Sequence, residues 1–274
     1  MTHSIYVRRG LSPAQQTAWS LYARDPHSFV FGVGEDRVLK TKDEHRSDAP
    51  EQYFPDLPYL RAMFDCLLVS GHFLAPEQAR HALAWGIPVT HLAQMEETGM
   101  VFIEKSRQIM ASWLCCAYLL WRAKFHAHQL LVVQSKKEED AAKFVYEKEP
   151  QQARISFMES RLPEWLQDGL FVSQKTVRSV LTANTRQQRC GYGHLYFPNG
   201  SHLWAVPQGG DVIRSNTPSC LFSDECAFQP EFGLAYQAAL PALRGGGQGI
   251  FISSAEVGEF AALVEAEVDV NGAR

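Results

Sequence analysis

Four short apolar runs, separated by helical segments, constrain the fold of this chain most. They are VFIE (101–104), QLLVVQS (129–135), SCLFSDE (219–225) and GIFISSA (249–255). Each has the length of a strand, and a continuous apolar run of that length suits a strand covered on both faces. A helical pattern runs from Ser112 to about His126 after the first run. KKEEDAAKFVYEKE follows the second with charged outer positions, and a helix near Phe232–Leu243 precedes the last. This alternation predicts a three-layer α/β fold with a mainly parallel central sheet.

Other segments are read around that frame. HLYFPNGSHLWAV (194–206) predicts a β-hairpin inserted into the fold, because Asn199-Gly200 suits a tight turn between two apolar and aromatic runs. LPYLRAMFDCLLVSG predicts a helix stopping at Gly71, and APEQARHALAW a second with Pro near its start. Residues 1–57 read as a partly irregular N-terminal arm. They hold a helix over Ser12–Ala23, then a charged stretch without apolar period that reads as exposed arm or loop. Residues 58–274 read as the main domain, and EVDVNGAR at the end suggests no further one.

No apolar run approaches the ~20 residues of a membrane span, and the N-terminus lacks a signal-peptide core, so a cytoplasmic protein is expected. A net charge of −4 argues against whole-surface nucleic-acid affinity and leaves a local basic patch open. RQQRCGYG carries two arginines that could touch a DNA backbone. The six cysteines contain no C-x-x-C pair and read as buried thiols. His126 and His128 read as caps for helix C-terminal carbonyls, and Trp113 and Trp121, two helical turns apart, as core.

The chemistry concentrates at the strand ends. VFIEKSRQIMASW (101–113) enters a polar loop and reaches a helix at Ser112, a layout that presents backbone N–H groups to a phosphate. The usual phosphate loop is G-x-x-x-x-G-K-[ST], and Met110 and Ala111 stand where its last Gly and its Lys belong. The third run ends in Asp224-Glu225, an adjacent pair suited to holding Mg²⁺ and deprotonating an attacking water. If the fourth run lies beside the third, Ser253 and Ser254 could hydrogen-bond a γ-phosphate or that water.

These three motifs together resemble the N-terminal ATPase domain of a tailed-phage terminase large subunit, the DNA-packaging motor. KSRQIMAS resembles its variant Walker A, K-[AS]-R-Q-x-G-x-[ST]. CLFSDECAF resembles its Walker B, and IFISSA its coupling motif. The resemblance covers about residues 55–260 and implies a three-layer P-loop (ASCE-type) ATPase with ATP and Mg²⁺ as cofactors.

It also assigns roles. Lys105, Ser106, Arg107, Gln108, Ile109, Met110, Ala111, Ser112 and Trp113 would form the nucleotide loop. Lys105 would replace the missing lysine, and Arg107 would sense the γ-phosphate in cis. Ser112 and Asp224 would hold the metal, Glu225 would activate water, and Ser253, Ser254 and Ala255 would couple hydrolysis to movement. Met110 departs from the family glycine. The adenine pocket would lie near Pro58, Tyr59 and Arg61, although Tyr59 reads equally as core. A trans-acting arginine is open among Arg154, Arg161, Arg178, Arg186, Arg189, Arg214 and Arg244.

The implied partners are double-stranded viral DNA, a portal protein, a small terminase subunit and further copies in a ring, with no membrane. The family's nuclease domain would follow the present C-terminus, so no DNA cleavage is expected. A helicase-like P-loop ATPase and a degenerate, non-hydrolysing nucleotide-binding subunit stand as alternatives.

Overall fold

The computed structural model describes residues 5–42, 51–106, 109–171, 189–210 and 216–269. It begins with helices α1 (Pro13–Arg24) and α2 (Pro26–Val30). Ser12 starts α1 because its hydroxyl accepts from the Gln15 N–H while the Gln15 side chain accepts from the Ser12 N–H. Pro13 stands where no helical N–H is needed.

The charged stretch that follows is not simply an exposed arm. Lys40–Lys42 (β1) pairs antiparallel with Glu51–Tyr53 (β2), and Thr41 is fully buried between two lysines. One inward residue in three is too short a pattern to register as periodicity. Trp19, Phe29, Phe31, Leu39 and Phe54 bury into the same core as residues beyond 58.

Three helices then lead into the sheet: α3 (Pro58–Ser70), α4 (Arg80–Ala84) and α5 (Val89–Thr98). Gly71 caps α3 as expected. Gly99 ends α5 with φ 66, where an added Cβ would lie 2.8 Å from the Gly247 carbonyl oxygen. Next come β3 (Met100–Lys105), α6 (Ala111–Phe125), β4 (Leu130–Ser135), α7 (Glu138–Val145) and α8 (Arg154–Ser160). The described chain closes with β5 (Cys190–Gly191), β6 (His194–Tyr196), β7 (His202–Pro207), β8 (Cys220–Asp224), α9 (Phe232–Arg244), β9 (Gln248–Ser254) and α10 (Glu259–Asp269).

The main sheet has the order β3-β9-β8-β4-β7-β6-β5, parallel from β3 through β7 and antiparallel beyond. Alternate side chains fill two cores. Val101, Leu131, Val133, Phe222, Ile250 and Ile252 face α3 and α6, whereas Met100, Val132, Leu221 and Phe251 face α9. Both faces are apolar along the central strands, which is why these runs read as continuous in sequence.

The expected hairpin is present, with Gly200 at φ 83 in its turn, but it is not a separate insertion. Its second strand, β7, pairs with β4 and so extends the main sheet. Its turn also holds α6. Asn199 donates to the carbonyls of Ala123, Lys124 and His126, and Ser201 donates to His126. The hairpin thus supplies side-chain donors to the C-terminal carbonyls of α6, a contribution that the spacing of His126 and His128 gave no hint of. Cys66, Cys115, Cys116, Cys220 and Cys226 are buried free thiols, and Cys190 is half-buried. Among the described residues no helix is long and apolar enough to cross a membrane.

Candidate phosphate-binding site

The parallel strands direct their C-terminal ends to one edge, where a loop and a helix start can meet a ligand. Helix α6 is buried along its whole length except at Ser112. A helix covered all round is a fixed post, and its one less covered side chain is the hydroxyl in its first turn. Ser112 Oγ donates to Asp224 Oδ1 at 3.1 Å, across from the end of β8.

Lys105 ends β3, and its Nζ lies 2.6 Å from Glu225 Oε1. Glu225 follows β8 with a left-handed backbone, φ 53, a conformation that costs a non-glycine residue roughly 1–2 kcal/mol. Its carboxylate is held by β9 as well. Oε2 accepts from the Ser254 N–H at 3.1 Å and from Ser253 Oγ at 3.5 Å, and Oε1 accepts from Ser254 Oγ at 3.3 Å. Ser253 Oγ also accepts from the Ala227 N–H.

The two carboxylates have opposite electrostatic settings. Burial raises the pKa of Asp224; the charges of Lys105 and Arg154 and the Ser112 hydrogen bond oppose this, while the Glu225 charge adds to it. Burial also acts upward on Glu225, but the Lys105 hydrogen bond and the Ser254 N–H outweigh it and hold the carboxyl below its ordinary value.

Met110 answers the question raised by the missing glycine. It caps α6 at φ 63 and ψ 7, so it takes the left-handed turn that a glycine there would permit. Ala111 is buried at the helix start and carries no charge to a ligand. Ser106 is exposed, and Trp113 is buried against Phe157. Arg107 and Gln108 lie outside the described residues, as do Arg178, Arg186 and Arg214.

Of the adenine-side candidates, Tyr59 touches the loop: its hydroxyl donates to the Ile109 carbonyl at 3.3 Å. Pro58 opens α3, and Arg61 is taken up by Asp56 through two hydrogen bonds. Sequence reading missed Trp85, a 57% exposed ring whose centroid is 6.4 Å from that of Tyr59. A lone Trp in the helical pattern around residue 85 carried no sequence signal for this position; its exposure and its place against Tyr59 emerge only in the structure. Ala255 lies beyond β9 and is exposed, whereas Ser253 and Ser254 reach the site through Glu225.

Hard oxygen donors, Ser112 and Asp224, suit Mg²⁺, which is held by one or two protein oxygens with water and phosphate completing its shell. No group of three or more His, Cys, Asp or Glu among the described residues could hold a metal, so a site closed entirely by protein ligands of those types is absent there. Other buried charges lie away from this edge: Lys124 pairs with Glu159 and Asp168 at the far end of α6, Arg122 donates to Gln248, and Asp65 on α3 meets His27. No family model matches the chain, and no curated protein matches it.

Proposed function

We propose that this chain is the ATP-hydrolysing motor domain of a viral DNA-packaging terminase, working in the host cytoplasm. One observation carries the reading. Lys105, Ser112, Asp224 and Glu225, distant in sequence, meet in two hydrogen-bonded pairs at the C-terminal edge of a parallel sheet. The three motifs that resemble the terminase set supply the identity of the motor.

In this reading Ser112 and Asp224 would hold Mg²⁺, which would supply positive charge to offset that of the phosphates. Lys105 turns from Glu225 to a phosphate oxygen and substitutes for the lysine absent at Ala111. Glu225 then takes the proton of the attacking water while the Ser254 N–H keeps its carboxylate in place. Arg107 adds a guanidinium to the transferring phosphoryl group, a role taken from the resemblance. Duplex DNA, portal protein, small subunit and a ring of copies are the partners that follow.

The test is phosphate release from Mg-ATP by the purified chain, read by a malachite-green assay with and without duplex DNA. Release that is abolished by EDTA and by Glu225→Gln is expected. ATP binding without release would instead favour a non-hydrolysing subunit. Stimulation by single-stranded DNA alone would favour a helicase-like ATPase.

A further inference from the structure

Two cations act on Asp224, Lys105 and Arg154, and they differ in what already holds them. Lys105 is paired with Glu225 at 2.6 Å. Arg154, the first residue of α8, has no hydrogen bond or ion pair among the described residues, and its Nε is buried without a partner. Arg161, just past the other end of the same helix, pairs with Glu51, and Arg61 pairs with Asp56. The lack of a carboxylate at Arg154 is therefore not the habit of this chain's arginines.

The guanidinium is nevertheless fixed. Its central carbon lies 4.6 Å from the centroid of the Phe144 ring and 5.6 Å from that of Trp113. Trp113 directly follows Ser112 in the first turn of α6, so the aromatic support belongs to the phosphate-facing end of that helix. Stacking on rings orients a guanidinium but leaves its N–H donors unused. A buried donor without an acceptor is unfavourable, and a planar, permanently charged fork is matched best by a phosphate or carboxylate.

We infer that Arg154 is a phosphate-binding residue of this site, its guanidinium donating to the phosphate chain of a nucleotide held between Ser112 and Asp224. The inference rests on the nucleotide reading above and adds to it. The site would carry a further cation in cis beyond Lys105 and Arg107, from α8, one that need not break an ion pair to act. It would recognise the number of phosphates more than the base.

Binding of inorganic tripolyphosphate, ATP, ADP and AMP with Mg²⁺ to the parent, Arg154→Met and Arg154→Lys, by calorimetry, tests this. Met keeps an apolar stem between the two rings. Arg154→Met should weaken tripolyphosphate and ATP by about 10–100-fold, the usual range for a charged hydrogen bond. AMP should change little, and Arg154→Lys should recover part of the loss. Melting of each variant is measured alongside, and if Arg154→Met does not fold, Arg154→Gln takes its place. A folded variant that binds tripolyphosphate as the parent does overturns the inference. A parent that binds neither tripolyphosphate nor ATP overturns the nucleotide reading itself.

Discussion

Glu225→Gln should move ATP affinity and turnover in opposite directions. Lys105 is paired with Glu225, so a phosphate that recruits Lys105 must first break that pair. Exposed pairs contribute up to about 1 kcal/mol, and breaking a fully buried one from one side costs about 3–5 kcal/mol. Lys105 has 8% of its side chain exposed and Glu225 38%, which places this pair near the lower range. About 1–2 kcal/mol is reasonable, a factor of roughly 5–30 in affinity. Glutamine keeps the shape of the carboxylate and an acceptor for the Ser254 N–H but releases the lysine. Affinity for a fluorescent ATP analogue should rise by that factor, while phosphate release falls by about 10²–10⁴-fold, the usual contribution of a general base. Turnover lost with unchanged or weaker binding would refute the claim that Glu225 restrains Lys105. Unchanged turnover would remove Glu225 from the chemistry.

Three other perturbations probe separate parts of the structure. Lys105→Ala should weaken binding of the ATP analogue, whereas Arg107→Ala should mainly slow phosphate release; both variants matching the parent would leave the missing lysine unreplaced. His202 sits in a stack with His194, Tyr196 and Trp204, and burial followed by the His194 charge lowers its pKa to about 4. The folded state thus binds fewer protons than the unfolded one, whose histidine titrates near about 6.5. Stability should be complete above that pH and fall as pH drops toward 4, by well under the roughly 3 kcal/mol of the full shift because the ring is only half-buried and partly screened by water. His202→Gln should flatten this part of a urea-unfolding pH profile, and an unaltered slope would contradict the assignment. Asn199→Ala removes the donor shared by the carbonyls of Ala123, Lys124 and His126 at the end of α6 and should cost about 2–3 kcal/mol in urea unfolding; a loss below about 0.5 kcal/mol would show that water caps the helix equally well.

How much of this was legible depended on whether a residue's role was local. The central strands could be read because they are apolar on both faces, and Asp224-Glu225 could be placed at a strand end by counting along one run. β1 was hidden because Lys40-Thr41-Lys42 shows one inward side chain between two charges. The α6 cap was hidden because Asn199 lies more than seventy positions away along the chain. The left-handed turn at Met110 has no local signature, since its side chain opposes the backbone it adopts. Arg154 was one arginine among seven by type; its lack of a partner emerges only once Trp113 and Phe144 are seen around it.

Lys105 and Ser254 are register partners at the ends of β3 and β9, and the Glu225 carboxylate bonds to both. One side chain therefore clasps two neighbouring strand tips, as a staple closes two sheets of paper. Under the proposed reading the clasp works as a mechanical valve with thermodynamic reciprocity. Whatever factor nucleotide exerts on the position of the chain beyond Ser254, a load pulling on that chain must exert on nucleotide affinity. A motor resisted by its cargo would then register the resistance at the phosphate, without a separate sensor.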